Sequence, residues 1–150
     1  MAGFIWAYNL SGGRELIFDF IMADTEILTV GDMLNIQTGE VDLAATNDAL
    51  MLGPMNGAVD PDDNVAGEAG RVSGTDSTTA VRSTVNPDAV LTAPDANARL
   101  VGVNIDIAGA TGAQVYTGVT NSDFLVIKDS SAVEDTLAII APGEHYLNPT

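Results

Sequence analysis

Apolar positions along this chain come in short, mostly alternating runs, and nearly every run is cut by Gly, Pro, Asn or Asp. Between Glu26 and Gly57 four such runs, at 27–30, 33–37, 41–45 and 49–52, are separated by Gly31-Asp32, by Thr38-Gly39-Glu40 and by Thr46-Asn47-Asp48. This is the pattern of a β-meander. Strands so short and closely spaced must cover their apolar faces by closing or by stacking, which predicts a small barrel or a sandwich.

Upstream, residues 4–10 (FIWAYNL) and 14–23 (RELIFDFIMA) flank Ser11-Gly12-Gly13, a connection short enough to close an N-terminal hairpin within residues 1–23. Along the first arm Phe4, Trp6 and Tyr8 alternate. In the second, Leu16, Phe18, Phe20 and Met22 share one face, and Ile17, Asp19 and Ile21 share the other. Both faces of the second arm are apolar, which predicts a strand covered on both sides. Two burial modes fit: the hairpin crosses the core of its own domain, or it leaves a face for another subunit.

After the meander, residues 56–79 form a polar loop rich in Gly, Asp, Ser and Thr, expected to lie against its own barrel or a neighbour. Strand patterns resume at 80–85 and 89–92, then at 99–108, where Val101, Val103, Ile105 and Ile107 make one apolar face. Three more follow at 113–120, 124–128 and 137–140, before a polar C-terminal tail at 141–150. The expectation is one all-β domain over 1–150 with about ten short, mainly antiparallel strands. The one helical alternative is a single turn within 43–51, capped by Thr46 or Asn47.

Charge narrows the function. Five Lys and Arg against 21 Asp and Glu give a formal net charge of −16, which repels phosphate backbones and anionic membranes. Charged residues are only 17% of the chain, below the roughly 25% of an ordinary soluble domain. A low-charge exterior is what an assembled protein shows where neighbours cover it. With no cysteine, neither disulfides nor thiolate metal sites are available. Arg14, Glu15 and Asp19 interrupt the apolar N-terminus, and no basic region precedes it, so neither a signal peptide nor a membrane span is expected. Asn9-Leu10-Ser11 fits a glycosylation sequon by composition alone.

Catalytic chemistry finds little footing. Asp60-Pro61-Asp62-Asp63-Asn64 places oxygens at alternate positions, as calcium requires, but Val65 stands where a calcium loop needs its turn glycine and Arg71 where it needs a bidentate glutamate. A solvated acidic loop is the plainer reading. His145, the only histidine, is expected at a surface or interface, and no nucleophile elbow, phosphate-cradling loop or His-Glu-x-x-His motif accompanies it. The pattern predicts a structural or binding module with no catalytic residue, cofactor or metal.

The order VGDMLNIQTGEVDLAATNDALMLGPMNG (30–57), a polar loop, VRSTVNPDAVLTAP (81–94), RLVGVNIDI (99–107) and YTGVTNSDFLVI (116–127) resembles the head decoration, or cement, proteins of tailed bacteriophages. That resemblance implies a small β-barrel or β-tulip-like domain on the outer surface of an assembled virion capsid. Its implied partners are the major capsid protein and further copies of itself, as a trimer or a dimer. Family attachment residues do not carry over, because this chain opens with Phe4, Ile5 and Trp6 rather than a flexible polar arm. From aromatic chemistry alone, Phe4, Trp6, Tyr8, Phe18, Phe20 and Tyr146 are the expected oligomer or capsid contacts. A calcium-assisted ligand- or carbohydrate-binding sandwich, and a tail or connector subunit, are the alternative readings.

Overall fold

The computed structural model describes residues 3–46, 48, 50–75 and 77–147. It is all-β, with thirteen strands, one 3-10 turn at Pro61–Asp63, and no α-helix among the described residues. A six-stranded antiparallel sheet joins β1 (Ile5–Asn9), β9 (Ala89–Ala93), β13 (Thr136–Ile140), β12 (Phe124–Val126), β10 (Asn104–Ala108) and β11 (Val115–Thr117), in that spatial order. A five-stranded sheet runs β2 (Ile17–Ile21), β8 (Ala80–Thr84), β6 (Met51–Ala58), β4 (Met33–Gln37), β5 (Glu40–Leu43). β3 (Ile27–Thr29) and β7 (Arg71–Ser73) pair as a small ribbon.

Period-two alternation explains how the layers stack. Met33 and Met51 turn one way, into a core with Phe4, Leu91, Ile105, Ile107, Tyr116 and Phe124 of the six-stranded sheet and its flanks. Their neighbours Leu34 and Leu52 turn the other way, into a second core with Met22, Leu28, Val41, Met55, Val72 and Val81. β4 and β6 are therefore covered on both faces. The first core is centred on three rings: Phe4 stands edge-on to Tyr116 (4.9 Å, 87°) and stacked on Phe124 (5.4 Å, 11°). The buried Tyr116 hydroxyl donates to the Leu91 carbonyl at 2.7 Å, and burial, with Asp95 adding to it, pushes its pKa well above the usual value.

Buried polar groups stitch the sheets together. Gln114 accepts from the Met33 N–H at 2.6 Å and donates to the Ala44 carbonyl at 2.7 Å. Asp32 accepts from the Thr29 and Gly112 N–H groups and from the Thr111 hydroxyl. Asp95 and Arg99, both buried, form a two-point ion pair (2.7 and 3.1 Å).

Several expectations change. The sheets do not close into a barrel: the outer strands of the five-stranded sheet meet only at a single bridge between Met22 and Val41, where the Ala23 N–H reaches the Val41 carbonyl at 2.9 Å. The N-terminal hairpin is absent, since β1 pairs with β9 (Ile5 opposite Thr92) and β2 with β8 (Ile17 opposite Thr84), in different sheets. The polar loop contains a strand, β7, because Val72 fills the second core beneath β3. β6 runs on through Gly53-Pro54, where register shifts beside Leu34 and Met55 accommodate a residue without an N–H. Gly53 sits at φ +151°, and a Cβ there would lie 2.0 Å from the Thr84 carbonyl oxygen, so only glycine allows this approach of β6 to β8. The long strand at 99–108 shrinks to β10, since Gly102 turns the chain at φ +85° and Leu100 and Val101 stay exposed. Of the single helical turn within 43–51, Asn47 and Ala49 lie outside the described residues, and the flanking residues belong to β5 and β6.

Candidate functional site

The chain segment from Ile5 to Ile21 supplies one edge strand to each large sheet, β1 to the six-stranded and β2 to the five-stranded. Along it Ile5, Tyr8, Leu10, Leu16, Ile17, Phe18 and Ile21 are all exposed. No other stretch of the described residues concentrates exposed large apolar side chains to this degree. The segment carries only one of the sixteen net negative charges, Arg14 standing against Glu15 and Asp19. Asp19 meets Arg82 of β8 at 3.5 Å, so the middle of β2 is nearly neutral.

The six aromatic candidates divide. Phe4 is only 1% exposed and belongs to the first core, so it is not available as a surface contact. Trp6 is half-buried against the same core and donates its indole N–H to Asn9 Oδ1 at 2.9 Å. Tyr8 is exposed because a register shift between Trp6 and Tyr8 reverses the alternation: Phe4 and Trp6 face inward, and beyond the bulge Asn9 does. Phe18 is 55% exposed and Phe20 is half-buried against the second core. β2 is thus exposed at every position but Phe20 rather than covered on both sides, contrary to what two apolar faces suggest. Tyr146 is exposed, on the C-terminal segment well along the chain from the ribbon.

The link between the two edge strands is tightly held. Asn9, buried, donates to the Gly13 and Arg14 carbonyls at 3.0 and 2.9 Å. Asn86 accepts from the Leu16 N–H at 2.7 Å, and Asp88 accepts from the Ser11 N–H at 2.8 Å; the Ser11 side chain, and then this backbone bond, lower the Asp88 pKa. The burial of Asn9 also leaves its sequon without a reachable amide. Asn9→Ala should cost about 1–3 kcal/mol, because two backbone carbonyls and the Trp6 N–H lose their partner. Thermal melting measures that loss, and faster amide exchange at Ser11 and Leu16 would locate it in the link.

Beside β1 lies a cleft of about 290 Å³ lined by Ile5, Trp6, Glu15, Val30, Met55 and Asn56, among others. Its walls are mainly apolar. Glu15 Oε1 accepts from the Thr84 hydroxyl, whose oxygen in turn accepts from Asn56 Nδ2 at 3.0 Å. Among the described residues Glu15 Oε2 takes no hydrogen bond.

No protein-family model matches the sequence, and no curated protein matches it. Among solved structures it is similar to the N base of the head fiber gp8.5 of bacteriophage phi29, at 17% identity and a TM-score of 0.45, over 84% of this chain and 95% of that one.

The other candidate chemistry resolves into structure. Asp60 caps the 3-10 turn by accepting from the Asp62 N–H at 3.0 Å, and Asn64 accepts from the Gly70 N–H at 3.2 Å. Among the described residues no group of three or more His, Asp or Glu side chains is placed to hold a metal ion. His145 is buried rather than at the surface: the C-terminal segment lays it beside Met51, with the Met51 N–H donating to the Glu144 carbonyl and the Tyr146 N–H to the Met51 carbonyl, both at 2.8 Å. Its Nδ1 accepts from the Leu147 N–H at 3.0 Å, while Nε2 has no partner in hydrogen-bonding geometry among the described residues.

Burial holds the His145 pKa below its ordinary value, opposed by the nearby Leu52 backbone. In the unfolded chain the imidazole takes up a proton near pH 6.5, before the folded one does. Its stabilising contribution is therefore complete above that pH and falls as pH drops from about 6.5 toward the lower folded value. Glu26 and Asp42 act in the opposite sense, since burial raises both, with the Asp42 charge adding to the effect on Glu26. A comparison isolates the histidine: the stability difference between parent and His145→Gln, from chemical denaturation, should shrink as pH falls through 6.5. A difference independent of pH from 5 to 8 would contradict this assignment.

Proposed function

We propose that this chain is a non-enzymatic structural protein of a tailed-phage virion, one that binds the outer surface of the assembled capsid and stabilises it by bridging coat subunits. The observation that carries the reading is the exposed apolar ribbon from Ile5 to Ile21, which forms an open edge of both large sheets in a molecule of net charge −16. Unpaired edge strands offer rows of N–H and C=O groups to a partner's backbone, and natural monomers blunt such edges. Here the edges bear Tyr8, Ile17 and Phe18 instead. The resemblance of residues 30–127 to head decoration proteins supplies the setting, and the β-tulip-like relationship belongs to the same proposal.

The partners are the major capsid protein and further copies of the chain, with a trimer favoured over a dimer. Acidity elsewhere on the molecule suits a position outside the shell, away from packaged DNA. Because such a protein binds the assembled lattice and not free coat subunits, it stabilises assembly by mass action, about 2.7 kcal/mol per site at a hundredfold excess over Kd. Tyr8, Phe18, Phe20, Trp6 and Tyr146 remain the contact residues of the proposal, and Phe4 does not. Quantitative mass spectrometry of purified particles tests it. The expected result is a copy number commensurate with the coat protein, and a handful of copies confined to the tail would overturn it.

A further inference from the structure

The cleft beside β1 is small and chemically specific. Sites for whole drug-sized ligands run from about 300 to 1,000 Å³, and this one, at about 290 Å³, stands at the small end of that range with room for one large side chain. The half-buried Trp6 lines it together with Ile5, Val30 and Met55, and its polar members are Glu15 and Asn56. Glu15 is fixed through Oε1 by the Thr84 hydroxyl, and Asn56 is fixed on that same hydroxyl, so Oε2 is presented by a side chain that is already oriented.

We propose that this cleft receives an arginine side chain from the protein partner. An arginine offers what this lining asks for: an apolar stem for a mainly apolar cleft, and a planar cation for a site lined by both a carboxylate residue and a tryptophan. Charge complementarity selects it over other occupants. An acidic residue in the lining of an apolar cleft disfavours an acidic or purely apolar side chain, and the net charge of −16 steers a basic partner toward the molecule. The cleft adjoins the exposed ribbon, since Ile5 belongs to both. The inference deepens the capsid-binding reading by naming what the coat surface must present at this point.

Trp6 is the only tryptophan, so its fluorescence reports on this cleft alone. The purified chain is titrated with N-acetyl-arginine methylamide and, for comparison, with the citrulline analogue, which has nearly the same shape without the charge. A saturable change is expected with the arginine probe. It should weaken about tenfold or more for citrulline and for Glu15→Gln, the loss of one charge-assisted hydrogen bond. Glu134→Gln, which removes the same charge from the exposed 131–134 turn, should bind as the parent does. Because Gln keeps an acceptor for Thr84, the variant should fold. The arginine-against-citrulline comparison on the parent chain decides the matter even if it does not. No saturable change, equal binding of citrulline, or equal weakening by Glu134→Gln would overturn the proposal. Capsid sedimentation is a separate readout. An intact arginine response in a chain that fails to sediment with capsids contradicts only the capsid reading, and a silent titration in a chain that does sediment contradicts only the cleft.

Discussion

Arg99→Met is expected to lower the unfolding free energy by about 3–5 kcal/mol, the cost of leaving a buried charge without its partner. Asp95 is fully shielded, and Arg99 meets it through Nε at 2.7 Å and through a terminal nitrogen at 3.1 Å. That same nitrogen donates to the Thr117 carbonyl at 2.6 Å, while the Thr136 hydroxyl donates to Asp95 at 3.3 Å. The pair thus joins the connection after β9 to β11 and β13, strands well separated along the chain. Removing only the cation strands the carboxylate, whereas removing both charges strands none. Arg99→Met with Asp95→Leu should therefore recover part of the loss, though not all, because the Asn97 N–H, the Thr136 hydroxyl and the Thr117 carbonyl lose partners. Denaturant unfolding of the two variants checks this. A double variant less stable than the single one would show that the charge pair is not what holds these strands.

Tyr8→Ser combined with Phe18→Ser should have the opposite profile. Both side chains are exposed, one on each edge strand, so their loss should change stability by no more than about 1 kcal/mol. On the proposed function each is an anchor, and anchors truncated at an interface cost about 2 kcal/mol or more apiece. Two such losses weaken capsid binding by roughly a thousandfold or more. Phe4→Ala is the contrasting variant: it opens the three-ring cluster with Tyr116 and Phe124 and should cost about 3–5 kcal/mol of stability. Three aromatics that alternate in the sequence within five residues thus separate into a core ring, a half-buried ring and a surface ring.

That separation marks where sequence reading stops. Alternation identifies most strands, including those expected at 33–37, 80–85, 124–128 and 137–140, because those runs bury one face or both. It could not place the bulge after Trp6, which has no residue signature of its own and yet turns Tyr8 outward and Asn9 inward. Nor could it show that two apolar arms joined by Ser11-Gly12-Gly13 would part company. The partners that separate them, Asn86 and Asp88, lie seventy or more residues away, and they hold the link by side-chain bonds no local pattern encodes. β2 misled for a related reason: two apolar faces predict burial, but edge position is fixed by long-range pairing with β8 and leaves all but Phe20 exposed. The short strand β7 was hidden because a single valine, Val72, supplies its buried area. The cleft at Glu15 was equally illegible, since its walls come from β1, β6 and the 30–31 turn.

The most direct test of the capsid-binding account is sedimentation of the purified chain with empty capsids of the phage that the proposal assigns it to, parent and Tyr8→Ser/Phe18→Ser variant side by side. The account predicts that the parent pellets with capsids to a saturating ratio, and that the variant, equally folded by circular dichroism, stays in the supernatant at the same concentration. A variant that pellets as the parent does would contradict the role of the ribbon, and a parent that never pellets would contradict capsid binding itself.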